Sequence, residues 1–327
     1  MIVTIKTETW PIRGHFTISR ASLTDVSVVT VEIANGPFTG RGECRPYARY
    51  GETCETVMAQ IEAIRPVIET GLNVQDLENH LPAGAARNAV DCALWDLLCK
   101  SQARSIWDML GMPLPKPHPT AYTLSIDHPE AMANMARKAL DFTILKLKVD
   151  ADRMSAQISA VAQIRPACRF IIDANEALTA DDVYALAKHP NANQIAMIEQ
   201  PLHNDIIHDH NFSDYMGPPL CADESFHGEH DLLPLKKLGY KAVNIKLDKC
   251  GGLTEALKLI KAAKRYDFQL MGGCMLSTSL AVAPMAAIMD AFDIVDLDGG
   301  ALLERDRKNG LTYKKGRVYP PSAKLWG

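Results

Sequence analysis

Polar residues recur at a nearly constant interval along the second half of the chain, each closing a short apolar run. Lys148 to Asp173 is 25 residues, Asp173 to Glu199 is 26, Glu199 to Asp223 is 24 and Asp223 to Lys246 is 23, with Asp296 a further 50 on. A strand, a helix and their connections occupy about this length, so each step lands at the equivalent point of the next strand. The runs are "TAYTLSI", "TILKLKVD", "RFIIDAN", "IAMIEQP", "PLCADES", "AVNIKLD", "FQLMGGCML" and "DIVDLDGG". Eight strand candidates with helical patterns between most of them predict parallel βαβ units of the α/β class. Closure into a barrel is the economical arrangement.

Strand parity assigns the faces. Lys146 and Lys148 share one face of their strand, while Leu145, Leu147 and Val149 take the other. Asp173 pairs with Asn175, Asp223 with Cys221 and Ser225, and Asp296 with Asp298, while Lys246 alternates with Ile245 and Leu247. The apolar parity packs under outer helices. The charged parity then points into the barrel mouth, at the strand ends where such barrels carry their chemistry.

Asp173, Glu199 and Asp223 make a hard-oxygen set suited to Mg²⁺. A single acid at a strand end is more simply a helix cap or a lysine partner; three in register, flanked by lysines, favour the metal. A lysine can serve as a general base when burial and a neighbouring cation lower its pKa, and Lys146 is placed to act so on Lys148. Lys148 and Lys246 lie on opposite sides of the acidic strands. One can take a proton from carbon and the other deliver one to the opposite face, with a divalent cation stabilising the enediolate between. Lys249 reads as a surface lysine.

The N-terminal part has a different pattern. Residues 1–45 alternate apolar and polar, as in "VSVVTVEI", and predict antiparallel strands. "CETVMAQIEAIRPVIETG" predicts a helix with a Gly stop, kinked at Pro66 or with Pro66 marking a late turn, and the helical pattern from "GAARNAVDCALWDLL" runs to Gly111. "MPLPKPHP", with four prolines, reads as a boundary. The net charge of -4 argues against nucleic acid as a partner. "MIVTIKTETW" lacks a secretory pattern, and "TSLAVAPMAAIMDAF" is too short and Pro-interrupted to span a bilayer. Cysteines at 44, 54, 92, 99, 168, 221, 250 and 274 form neither a zinc pattern nor a disulfide framework, so reduced thiols in the cytoplasm are expected.

These residues resemble the enolase superfamily, and within it the muconate lactonizing enzyme subgroup. "KLK" (146–148), "DAN" (173–175), "EQP" (199–201), "ADES" (222–225), "NIKLDKCGGLTEA" (244–256) and "AARNAVDCALWDLL" (85–98) carry the resemblance. It implies a modified (β/α)7β TIM-like barrel over 114–300, an α+β capping domain over 1–113, and a tail, 301–327, returning to the cap. It also implies that Lys148 and Lys246 are the acid/base pair, that Lys146 assists at the substrate carboxylate, and that Asp173, Glu199 and Asp223 bind one Mg²⁺ per subunit; the superfamily's lysine or histidine base with Mg²⁺ is a known pattern.

Asp296 and Asp298 in "DLDGG" could hold a substrate ammonium, a second metal, or simply pair structurally. A DxD there resembles the dipeptide epimerases, where it binds the amino terminus. "PYARYGE" (46–52) and "GCML" (273–276) resemble the L-Ala-D/L-Glu type, which implies that Thr123, Cys274 and Leu276 line the dipeptide site. Within a mobile cap loop at 13–24, Arg20 is the candidate clamp for a glutamate side chain, with Arg13 and Arg41 as competitors. Tyr47 and Tyr50 lie near that loop. The leading expectation is epimerisation of L-Ala-D/L-Glu in recycling of wall peptides. A muconate cycloisomerase or o-succinylbenzoate synthase would leave the DxD pair without an ammonium, and a non-catalytic binding protein needs no two opposed bases. Neither nucleic acid nor membrane is an expected partner, and homo-oligomer formation is left open.

Overall fold

A computed structural model describes residues 1–19 and 21–327. The chain opens with an antiparallel meander of β1 (Ile2–Ile18), β2 (Ala21–Asn35) and β3 (Phe38–Cys44). One face of it carries Val29, Val31 and Ile33, fully buried against the helices α1 (Cys54–Glu69) and α2 (Ala85–Gln102). The far end of the β1–β2 hairpin reaches over the barrel: Ile126 N–H donates to Thr17 O at 3.0 Å, and Ser19 Oγ donates to Asn175 O at 3.3 Å. The cap loop expected at 13–24 is therefore largely a paired ribbon, with Phe16 opposite Leu23 and Thr17 opposite Ser22 beyond an irregularity after Pro11. Strand pairing there is decided by cross-strand partners, which a local pattern does not reveal.

Pro66 lies in the last turn of α1. The second helix does not run on to Gly111. It stops at Ala103, whose φ of 51° is left-handed, and α3 (Ile106–Leu110) restarts from a capping box between Ser105 and Asp108. Continuous apolar periodicity hides such a break, although Ser105-x-x-Asp108 is its signature in the sequence. β3 meets α2 at very short range. A Cβ at Gly42 would stand 2.0 Å from the Ala89 carbonyl oxygen, and one at Gly40 would stand 2.1 Å from that of Ala93. "GRGE" and the alanine stripe of α2 therefore form one complementary seam.

β4 (His118–Pro119) leads into the parallel barrel of β5 (Ala121–Leu124), β6 (Ile144–Lys148), β7 (Arg169–Asp173), β8 (Ile195–Glu199), β9 (Leu220–Ala222), β10 (Ala242–Ile245), β11 (Gln269–Gly273) and β12 (Ile294–Asp296). These eight strands pair in chain order. The crossover helices are α4 (Pro129–Lys138), α5 (Met154–Ile164), α6 (Ala180–Ala187), α7 (Leu232–Lys237), the one-turn α8 (Leu247–Cys250) followed by α9 (Leu253–Arg265), and α10 (Ser279–Ala287). Between β8 and β9 there is only a 3₁₀ turn, in a stretch rich in His, Asn, Asp, Pro and Gly with no helical period. β12 comes back against β5, and side chains finish the closure. Leu297 N–H donates to Thr120 Oγ1 at 2.9 Å, and Thr123 N–H donates to Asp298 Oδ2 at 2.7 Å.

Inward residues Ala121, Ile171, Met197, Cys221, Ala242, Met271 and Ile294 plug the lower barrel. The polar layer sits directly above them. The tail adds β13 (Tyr313–Lys314), paired with β14 (Arg317–Val318), which in turn pairs with β4, and ends on α2, where Trp326 Nε1 donates to Cys92 O and Gly327 N–H to Asp96 Oδ1. No helix among the described residues is long and apolar enough to cross a membrane.

Asp248, on α8, ties barrel to cap: its Oδ1 accepts from Arg45 N–H at 3.0 Å and from Asn88 Nδ2 at 2.9 Å. Burial pushes this acid up to about 7, with the charges of Glu52 and Glu43 acting in the same direction. The folded chain then holds a proton the unfolded chain releases, so this contribution favours folding at low pH and fades as pH rises from about 4 through about 7. Asp248→Asn removes it. Relative to wild type, the variant's stability to urea should rise between about pH 5 and about pH 8, and parallel pH profiles would contradict this. Gly42→Ala should lower the unfolding free energy by about 1–3 kcal/mol in the same assay, because the atom it meets is backbone.

Candidate active site

A cavity of about 680 Å³ opens at the C-terminal ends of the barrel strands, roofed by the β1–β2 hairpin and the segment after β3. Strand register builds its floor. Lys148 stands beside Asp173, Asp173 beside Glu199, and Gly273 beside Asp296, all on the inward parity. Thr123, Lys146, Lys148, Asp223, Lys246, Cys274, Leu276, Asp296 and Asp298 line the cavity. Asp173 and Glu199 lie beneath it, buried, in contact with Lys146.

The charges interlock. Lys146 Nζ is 2.9 Å from Asp173 Oδ2, 2.8 Å from Glu199 Oε2 and 2.9 Å from Asp296 Oδ2. Lys148 Nζ donates to Asp173 Oδ2 at 2.5 Å and to Asn175 Oδ1 at 2.9 Å. On the other side Lys246 Nζ donates to Asp223 Oδ2 at 2.6 Å and stands 4.0 Å from Glu199 Oε1. Burial alone would lower Lys146 and Lys246. Asp173, Asp296 and Glu199 outweigh it at Lys146, as Asp223 does at Lys246, and both are held above the usual lysine range. Lys146 is thus a neutralised partner of the carboxylates, sharing Asp173 with Lys148, and does not stand beside Lys148 as a bare cation. Burial alone would raise Asp173; Lys146 and Lys148 overcome it and hold its carboxyl well below the usual range. Burial pushes Glu199 up to about 8, with Asp173 and Asp223 adding to the rise. Burial, with Asp296 beside it, pushes Asp298 up to about 7.

Asp173, Glu199 and Asp223 are the residues that could hold a metal. Among the described residues no three acidic, His or Cys side chains converge as a metal-binding group in this arrangement, and Lys146 and Lys246 lie between the carboxylates. The donor chemistry nevertheless fits a hard cation. Glu199 Oε2 is buried with the Lys146 ammonium beside it and no other partner, and three carboxylates crowded in a buried site gain from a positive charge placed among them.

Several residues here were not picked out from the sequence. Lys249, expected at the surface, is 4% exposed and donates to Asp223 Oδ1 at 2.6 Å and to the Asp223 carbonyl. The helical turn α8 after β10 swings it back inward, which strand parity cannot indicate. Asn244, sharing parity with Lys246, donates to Glu199 Oε1 at 2.9 Å; a Cβ at Gly273 would stand 2.4 Å from its Oδ1, so that strand needs glycine. Gln200, at φ 35°, accepts from Asp223 N–H and Ser225 N–H and fixes the third acidic strand end. Arg20 lies outside the described residues. Arg13 and Arg41 donate to carbonyls of Leu303, Lys324 and Leu325, and neither lines the cavity.

Comparison with known proteins shows the family. Residues 1–111 match the mandelate racemase / muconate lactonizing enzyme N-terminal domain, and residues 130–324 match the enolase C-terminal domain-like family. An L-Ala-D/L-Glu epimerase of Escherichia coli (strain K12) is 41% identical over 95% of this chain and 97% of its own length. An N-acetyl-D-glutamate racemase of Pseudoalteromonas sp is 40% identical over 92% of this chain and 95% of its own. A crystal structure of an enolase family member from Agrobacterium tumefaciens, with homology to dipeptide epimerases and with bound sodium and L-Ala-L-Glu, superposes with a TM-score of 0.93 at 43% identity, covering 99% of both chains. The chain belongs to the mandelate racemase / muconate lactonizing enzyme family of the enolase superfamily.

Proposed function

We propose that this protein is a Mg²⁺-dependent dipeptide epimerase acting on L-Ala-D/L-Glu by two-base 1,1-proton transfer. The observation that carries the reading is the placement of Lys148 and Lys246 at opposite ends of one row of buried carboxylates, facing a cavity that also holds Asp296 and Asp298. Similarity to an L-Ala-D/L-Glu epimerase over nearly the whole chain supports it.

In this reading Asp173, Glu199 and Asp223 hold the Mg²⁺. The cation supplies positive charge that stabilises the enediolate as the α-proton leaves. Lys146 stands at the substrate carboxylate. One lysine, neutral, takes the α-proton onto its Nζ, and the other, protonated, returns a proton to the opposite face, so the product differs only in configuration. Asp296 and Asp298 receive the substrate's amino terminus, with Thr123, Cys274 and Leu276 around the peptide. Arg20 is the sequence candidate for the glutamate side chain. A cytoplasmic role in recycling wall peptides fits such a substrate.

An N-acetyl-glutamate racemase is the second reading, because a relative named N-acetyl-D-glutamate racemase is 40% identical, against 41% for the epimerase. The chemistry at the α-carbon is the same. An acyl group, however, offers no ammonium to Asp296 and Asp298, and this favours the dipeptide. The discriminating experiment incubates the protein with Mg²⁺ in D₂O and either L-Ala-L-Glu or N-acetyl-L-glutamate, following deuterium at the α-carbon and the configuration formed. Faster turnover of the dipeptide supports the proposal; exchange of N-acetyl-L-glutamate alone overturns it.

Lys148→Ala and Lys246→Ala should each lower epimerisation by about 10²–10⁴-fold. Each should keep exchange of only that diastereomer whose α-hydrogen faces the remaining lysine, read by NMR in D₂O. Asp298→Asn should raise KM for L-Ala-L-Glu by about tenfold or more while changing turnover of N-acetyl-L-glutamate little, as expected for loss of a charge-assisted contact to an ammonium.

A further inference from the structure

The cavity does not end at the reacting centre. It continues between β2 and the segment from Arg45 to Cys54, where Asp25, Ser27, Arg45, Tyr47, Glu52 and Cys54 line it. Its wall there is aromatic and ends in a cation. Tyr50 lines the same cavity as Asp223 and Lys246, the Tyr47 and Tyr50 rings meet edge-on at 5.5 Å, and Arg45 Cζ is 5.9 Å from the Tyr47 ring centre.

The other described cations lining the cavity all have carboxylate partners. Lys146, Lys148 and Lys246 are paired as above, and Arg49 grips Glu176 with two hydrogen bonds of 2.9 and 2.8 Å. Among the described residues, Arg45 makes no ion pair and its guanidinium makes no hydrogen bond. The nearby acids are otherwise engaged: Glu52 accepts from Tyr47 N–H and Ala85 N–H, and Asp248 takes the backbone N–H of Arg45 itself. That last bond fixes the residue's origin, so the side chain is aimed from an anchored backbone. Burial disfavours its charge, and an anion beside it offsets that cost. The planar fork of an arginine is shaped for a carboxylate.

We propose that Arg45 binds the side-chain carboxylate of the residue being epimerised and sets the preference for an acidic dipeptide. This rests on the dipeptide reading above. The Arg45–Tyr47–Tyr50 wall then guides the side chain away from the lysines, toward the outer branch of the cavity.

The test compares L-Ala-L-Glu with L-Ala-L-Gln, which match in shape and differ in charge, by calorimetric binding with Mg²⁺ and by α-proton exchange. Arg45→Gln should weaken L-Ala-L-Glu by about 10- to 100-fold, seen mainly in KM, and leave L-Ala-L-Gln within about threefold. Arg45→Lys should restore part of the difference, which also shows that the fold is intact. Equal effects on both dipeptides overturn the proposal, as does a glutamate preference kept in Arg45→Gln and lost in Arg20→Gln. If the wild type exchanges neither dipeptide, the epimerase reading fails separately. Arg45 is then judged by glutarate against glutaramate: selective glutarate binding lost in Arg45→Gln supports it, and equal binding overturns it.

Discussion

Asp173 is shared by two buried lysine ammoniums, and the arrangement of the site follows from how that charge is balanced. Lys146 and Lys148 both approach Asp173 Oδ2, and Lys146 reaches on to Glu199 and Asp296. None of these side chains is more than slightly exposed. Unpaired, each charge would carry a desolvation cost of several kcal/mol, so the lysines and acids can only be buried together. Barrel register makes this possible, because adjacent parallel strands bring residues about 25 apart in the chain to neighbouring positions. A network of this kind is also responsive. A cation held among Asp173, Glu199 and Asp223, as proposed, would compete with the lysines for the same oxygens.

The cap roofs the cavity above this network. The close seam of Gly40 and Gly42 on α2 locks the antiparallel sheet in place, and the C-terminal tail is clasped onto that same helix at Cys92 and Asp96. From this base the β1–β2 hairpin projects over the strand ends, tied down at Ser125 and Ile126. Electrostatic contacts in such a low-dielectric enclosure are stronger than in water. The barrel thus supplies the groups proposed to react, and the cap supplies the roof and the outer wall around Tyr47 and Tyr50.

The regular part of this design was legible in the sequence because it is periodic. Step length located the strands, parity put Lys146, Lys148, Asp173, Asp223, Lys246 and Asp296 on one face, and the structure brings all of them together. Where local geometry departs from the period, sequence reasoning stopped. Lys249 turns inward only because a single helical turn follows β10, and α2 ends at Ala103 although its apolar pattern continues. The β8–β9 crossover has no α-helix, and the segment read as a cap loop is mostly strand. Arg45 had no signal in its own neighbourhood: its lack of an ion pair among the described residues depends on residues distant in the chain. The acids and lysines of the floor are fixed by backbone register, whereas the cavity's outer wall is a matter of tertiary packing.

The central claim is that one substrate carbon sits between two lysines above a single cation. A crystal structure of the protein with Mg²⁺ and L-Ala-L-Glu tests it most directly. The account predicts one metal ion bound by Asp173, Glu199 and Asp223, with Lys148 Nζ and Lys246 Nζ approaching opposite faces of the α-carbon. Metal held elsewhere, or both lysines on the same face of that carbon, would contradict it.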